Sequence, residues 1–255
     1  MIDISSHGQT PAEMLRRRLS QTATGQRLRA EDIGPFGVTQ KIAAGGEILL
    51  PGGETGPLLL VAGAAGEIRT LDARRRQILR LRLPGDVIYA CDHDVVLALG
   101  RVTVADARPF LQRLDNPEAS PFLRRAWLEM GRLDQNLSRD HMVRLGRMTA
   151  LERVAHLLLE THARLADVGL AEGDTFQLPT TQEAMSDLLG LSGVHLSRTL
   201  QALRREKLVS LKAGRLVLLD RLRLTDLSRL RRASVTDFPR QTPQPADAPS
   251  VALVA

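Results

Sequence analysis

The stretch Leu178-Pro-Thr-Thr-Gln-Glu-Ala-Met-Ser-Asp-Leu-Leu-Gly-Leu-Ser-Gly-Val-His-Leu-Ser-Arg-Thr-Leu-Gln-Ala-Leu-Arg-Arg-Glu-Lys207 decides the fold, because it sets two short helices around a Gly-Leu-Ser corner. Thr181 is placed to cap the first helix through its hydroxyl, with Thr180 and Glu183 forming the competing capping-box register. Ser186 is small enough to let a second helix cross closely, and Gly190 ends the first. Ser192 caps the second helix, on which Leu196, Leu200 and Leu203 recur at helical spacing and form one buried stripe. The opposite face carries His195, Arg198, Gln201 and Arg205. A polar, basic face is what a helix entering a DNA major groove requires.

Working outward toward the C-terminus, Leu208-Val-Ser-Leu-Lys-Ala-Gly-Arg-Leu-Val-Leu-Leu219 alternates on both sides of Ala213-Gly214. That pattern predicts a β-hairpin with Lys212 and Arg215 at its tip, and a helix-turn-helix followed by such a hairpin is a winged helix. An isolated helix-turn-helix is as often an ordinary helical corner. Caps, corner glycine, apolar stripe and basic wing in one register argue against that.

Charge places the partner at the same end. Eleven Lys or Arg and five Asp or Glu lie between Leu178 and Ala233, so the whole +6 excess of the chain sits in this segment. A basic winged segment on a nearly neutral remainder suggests a polyanion, double-stranded DNA. At 255 residues with 43% hydrophobic side chains, more than one folded unit is expected. The N-terminus lacks a signal-peptide pattern, and no apolar run approaches the ~20 residues of a membrane span, so a cytoplasmic protein without membrane contact is expected. The single cysteine, Cys91, excludes an internal disulfide and cannot supply an iron–sulfur cluster.

Toward the N-terminus, residues 1–28 read as an extension in which Met14, Leu15 and Leu19 suit a short amphipathic helix. From Phe36 to Val104 short apolar runs alternate with glycines: 45–53, 58–63, 66–71, 77–86 and 95–99. Short strands with frequent turns imply an antiparallel roll or barrel over 29–118. A long helical pattern takes over across 119–145, with Leu123, Trp127, Met130, Leu133 and Leu137, and His141 beyond them, along one face. That stripe either packs on its own barrel or forms a seam between two subunits, and the heptad-like spacing favours the seam. Gly146 interrupts the pattern as a hinge, Thr149 caps the next helix, and the winged helix-turn-helix occupies 146–233. Four prolines between Asp237 and Pro249 predict a disordered tail over 234–255.

An α+β chain with an antiparallel, cyclic-nucleotide-binding-like roll, a long dimerisation helix, a hinge and a winged helix, in that order, resembles the Crp/Fnr family of bacterial transcription regulators. The resemblance covers roughly residues 30–232 and rests on Pro84-Gly85-Asp86, on Gly146-Arg-Met-Thr-Ala-Leu-Glu-Arg-Val-Ala-His-Leu-Leu-Leu-Glu160, and on Leu189-Gly-Leu-Ser-Gly-Val-His-Leu-Ser-Arg-Thr-Leu-Gln201. It implies a homodimer on a palindromic promoter site, with RNA polymerase as a further partner and no catalysis. By the same resemblance, Thr181 and Ser192 contact DNA phosphates and Arg198 reads guanine, with Gly193, Val194, His195 and Ser197 completing the recognition surface. A guanidinium donating to guanine O6 and N7 is worth ~1–3 kcal/mol of discrimination. Gly193 and Val194 stand where the best-known members carry an Arg-Glu pair, so a different operator is expected.

The sensor departs from the family pattern. Val87-Ile-Tyr-Ala-Cys-Asp-His-Asp-Val-Val96 contains neither the glycine turn nor the arginine that holds a cyclic phosphate, so cyclic AMP is not the expected effector and the effector is unassigned. Cys91 and His93 stand two apart on a strand, as metal or haem ligands would, but one cysteine and one histidine near a loop are read as no site. His156 and His162 do not share a helical face. No metal or cofactor is expected. The competing class is a small-molecule or haem sensor acting through protein contacts.

Overall fold

The computed structural model describes residues 9–72, 75–89, 94–116 and 120–228. Cys91, His93, the tail over 234–255, the first eight residues and the C-terminal end of the winged segment beyond Ser228 lie outside the described residues. The chain opens with α1 (Pro11–Leu19), where the Thr10 hydroxyl accepts from Glu13 N and Met14, Leu15 and Leu19 are buried as their spacing predicts. The short α2 (Ala30–Ile33) leads into the roll.

Among the described residues, seven strands build that roll: β1 (Thr39–Ile42), β2 (Leu58–Ala62), β3 (Ala65–Asp72), β4 (Arg75–Arg82), β5 (Val87–Ile88), β6 (Val95–Ala98) and β7 (Val102–Asp106). They form two antiparallel sheets, in the orders β1-β7-β2-β5 and β4-β3-β6. The apolar run between Gly45 and Gly53, read as one of the roll's strands, forms no strand. Gly45, Gly52 and Gly53 adopt positive φ around Pro51, and the ladder is reduced to one bridge between Glu47 and Leu97.

After α3 (Arg108–Asp115) comes the long α4 (Pro121–Arg147), 27 residues or about 40 Å. Leu123 is 0% and Met130 5% exposed, packed with Leu15, Leu19 and Phe110 of the same chain, and Trp127 meets the Phe110 ring edge-on at 5.2 Å. Leu123 and Met130 are therefore spent within their own chain, where the half-buried Trp127 also packs, the plainer of the two readings of the stripe. A side chain already enclosed has no surface left for a second subunit. Leu137 is half-buried and Leu133 is 37% exposed, while the opposite side of α4 leaves Leu128 and Met142 at 69% and 65%.

Gly146 does not interrupt α4. The helix runs on to Arg147 and breaks at Met148, whose ψ of 144° is extended. Thr149 then caps α5 (Ala150–Asp167) reciprocally with Glu152. Because a lone glycine costs a helix only ~1 kcal/mol, the Thr149 capping box fixes the corner instead. The winged part follows as β8 (Ala171–Glu172), β9 (Thr175–Gln177), α6 (Gln182–Leu189), α7 (Gly193–Arg205), β10 (Val209–Lys212), β11 (Arg215–Leu218) and α8 (Arg221–Ser228), with sheet order β10-β11-β9-β8.

One buried apolar cluster runs across the junction. It joins Ile68, Ile78, Leu81 and Leu83 of the roll to Val154, Leu158, Leu188 and Leu189 of α5 and α6. Pro84-Gly85-Asp86 lies where roll, α1 and α5 meet. Gly85 has φ +93°, and a Cβ there would stand 3.0 Å from Val168 and 3.1 Å from Arg18. Asp86 is buried, accepts from Leu83 N at 3.0 Å, and pairs with Arg164 of α5 and, at 3.5 Å, with Arg18 of α1. Burial alone would raise its pKa, but Arg164 and Arg18 hold it down to about 2.

Candidate nucleic-acid interface

Each predicted cap of the helix-turn-helix is made. Thr181 Oγ1 accepts from Ala184 N at 3.2 Å, which settles the register in favour of Thr181, and Ser192 Oγ accepts from His195 N at 3.2 Å. Gly190 closes α6 in the left-handed conformation at φ 61°. Leu196, Leu200 and Leu203 are buried beneath α7, and Ser186 is buried where the helices cross. The outward face of α7 presents Gly193, Val194, His195 and Arg198 to solvent, with Val194 at 63% exposure and Ser197 half-buried. Thr181 and Ser192 are exposed as well. The caps thus leave both hydroxyls at helix N-termini, where backbone N–H groups favour an anion.

The wing closes on Ala213 (φ 47°) and Gly214 (φ 78°), a two-residue turn with both residues left-handed, which pairs Lys212 with Arg215 at an exposed tip. Arg215 lies 3.5 Å from the exposed Glu172, a loose contact screened by water. Sequence reasoning missed β8 and β9, which extend the wing sheet by pairing β9 with β11. The Gly173-Asp174 turn between Glu172 and Thr175 was the available signal.

Two arginines explain the motif that follows the long helix. Arg153 donates to Met148 O at 2.8 Å, Leu145 O at 2.9 Å and Leu189 O at 2.8 Å, so one guanidinium staples the end of α4, the corner and the end of α6. Arg144, 1% exposed, donates to His156 Nδ1 at 2.9 Å and pairs with Glu160, tying α4 to α5. Accepting at Nδ1 requires a neutral His156 ring. Burial, with Arg144 second, pushes the pKa of both His141 and His156 down to about 4. His162 lies elsewhere, its Nε2 donating to Gly173 O at 2.7 Å. No group of three or more metal-ligating side chains occurs among the described residues.

A cavity of about 250 Å³ opens between α1, the roll and α4, lined by Arg18, Arg80, Arg82, Asp86, Tyr89 and Trp127 among others. Its guanidiniums come from α1 and β4, outside the 87–96 segment. Arg18 meets Asp86 and Asp134 and Arg82 meets Glu67, whereas Arg80 shares Asp134 at 3.0 Å and leaves its buried Nε and Nη2 without a hydrogen bond.

Residues 152–227 match the Crp-like helix-turn-helix domain. The chain is 32% identical over 165 residues to the transcriptional activator protein FnrL of Cereibacter sphaeroides, covering 61% of this chain and 65% of that protein. It is 34% identical over 151 residues to the nitrogen fixation regulation protein FixK of Bradyrhizobium diazoefficiens, covering 55% and 60%. The chain thus matches less than two thirds of the length of these curated relatives. Among solved structures, FixK2 from Bradyrhizobium japonicum superposes with a TM-score of 0.63 at 28% identity, covering 77% of this chain and 98% of that one. A CooA mutant from Carboxydothermus hydrogenoformans shares the fold, with a TM-score of 0.55 at 18% identity over 76% of this chain and 88% of that one. With its roll, long helix and Crp-like helix-turn-helix domain, the chain is similar to transcription regulators of the Crp/Fnr family.

Proposed function

We propose that this chain is a sequence-specific, DNA-binding transcription regulator that acts as a homodimer on a palindromic promoter site, with RNA polymerase as a further partner. The observation that carries it is the exposure of Val194, His195 and Arg198 on a capped helix whose other face is buried, with Lys212 and Arg215 exposed on the wing. A helix held this way is free to enter a major groove, and the wing cations suit the flanking backbone. No helix among the described residues is long and apolar enough to cross a membrane, and we place the protein in the cytoplasm with the DNA it reads. The family consists of regulators and not of enzymes, and no catalytic step is assigned to this chain. Cyclic AMP is not the proposed effector, because residues 87–96 carry neither the glycine turn nor the arginine that would hold its phosphate.

The test is selection of duplexes from a random library by the purified protein. Enrichment of an inverted repeat with guanines supports both dimer and base reading. Recovery of no motif, with binding indifferent to sequence, overturns the reading.

A further inference from the structure

Strand β4 of the roll reaches α6, the first helix of the helix-turn-helix. Arg76 Nε lies 2.6 Å from Asp187 Oδ2 and its Nη2 lies 2.7 Å from Glu183 Oε1, so one guanidinium spans two carboxylates a helical turn apart. Next to it, Gln77 Nε2 donates to Asp187 O at 2.6 Å and Leu188 O at 3.2 Å, carbonyls that α6 leaves open at its C-terminal end. Glu183 is 77% exposed and sits two residues from Thr181, at the end of α6 assigned to a phosphate. A bare carboxylate there would repel the DNA backbone and cancel part of the positive potential that the helix N-terminus offers a phosphate. The docked roll covers none of the reading surface, since Thr181, Ser192, Val194, His195 and Arg198 all stay exposed. The contact therefore has the geometry of a support and not of a shield.

We propose that Arg76, a residue of the roll, serves the DNA interface by neutralising Glu183 and Asp187, whose charges would otherwise weaken the phosphate contact at the start of α6. This rests on the DNA-binding reading above and extends it, because DNA affinity then depends on a side chain outside the winged segment. Hydrogen bonding to Asp187 raises the pKa of Arg76, so the charge is present at every working pH.

The experiment is a charge cycle in the full chain, read as anisotropy of a labelled mixed-sequence duplex at several salt concentrations. Arg76→Gln is expected to weaken binding on the order of tenfold at low salt, with the gap closing as salt rises. The double variant Glu183→Gln/Asp187→Asn is expected to bind at least as tightly as the wild type, and adding Arg76→Gln to it should cost nothing more. A loss that persists in the carboxylate-free background would make Arg76 a direct phosphate contact or a purely structural residue, and the proposal falls. Tighter or unchanged binding by Arg76→Gln also overturns it, the first by making the contact inhibitory. If the wild-type chain binds no duplex, the DNA-binding reading fails and takes this proposal with it, an outcome distinct from a silent Arg76.

Discussion

Arg198 and the wing cations are exposed alike but should fail differently. Arg198 projects from the recognition helix, where a bidentate guanine contact is possible, so Arg198→Ala is expected to cost ~1–3 kcal/mol per half-site on a selected operator and much less on random DNA. Lys212→Ala or Arg215→Ala should weaken both DNAs alike and lower the salt slope by ~1 per contact in each half-site. Equal losses on both DNAs for Arg198→Ala would reduce it to a phosphate contact. His141 and His156 carry a separate prediction about stability. Their folded pKa values near 4 lie below the ordinary 6.5, so the unfolded chain binds more protons between those values and stability must fall as pH drops from 6.5 toward 4. Urea midpoints measured across that window should decline, and His141→Gln/His156→Gln should flatten the decline. An unaltered slope in the double variant would assign the acid sensitivity to other groups.

At the scale of elements, α4 shows where sequence patterns stop being sufficient. Its apolar stripe was legible, but periodicity cannot say whether a stripe meets the roll of its own chain or a partner, because both are apolar surfaces. The structure sends Leu123 and Met130 inward and leaves Leu128 and Met142, two heptads apart, outward. The dimer seam we propose therefore runs along Leu128 and Met142. Sedimentation should show Leu128→Asp/Met142→Asp as a folded monomer, whereas Leu123→Ala should lower stability by about 2–5 kcal/mol without specifically releasing a partner. A Leu128→Asp/Met142→Asp variant that stays dimeric places the seam elsewhere. The recognition corner and wing were read almost residue by residue, since Thr181, Gly190, Ser192 and Ala213-Gly214 act through local backbone chemistry. What escaped was long-range. Arg76, Arg144, Arg153 and Arg164 each reach a partner 12 to 111 positions away, and contacts that distant leave no periodic trace.

For the whole molecule, the apolar cluster that joins roll to α5 and α6 makes separate melting of the two parts costly, because either one alone would expose the other's half of the core. Calorimetry of the full chain should give one peak with equal van't Hoff and calorimetric enthalpies, and two resolved peaks would show the halves to be independent. Close-packed interiors resist gradual sliding and settle into discrete packings. The roll and the winged part are therefore geared and not loosely tethered. A displacement of β4 would press on the C-terminal end of α6, because Ile78 and Leu81 share one packed core with Leu188 and Leu189.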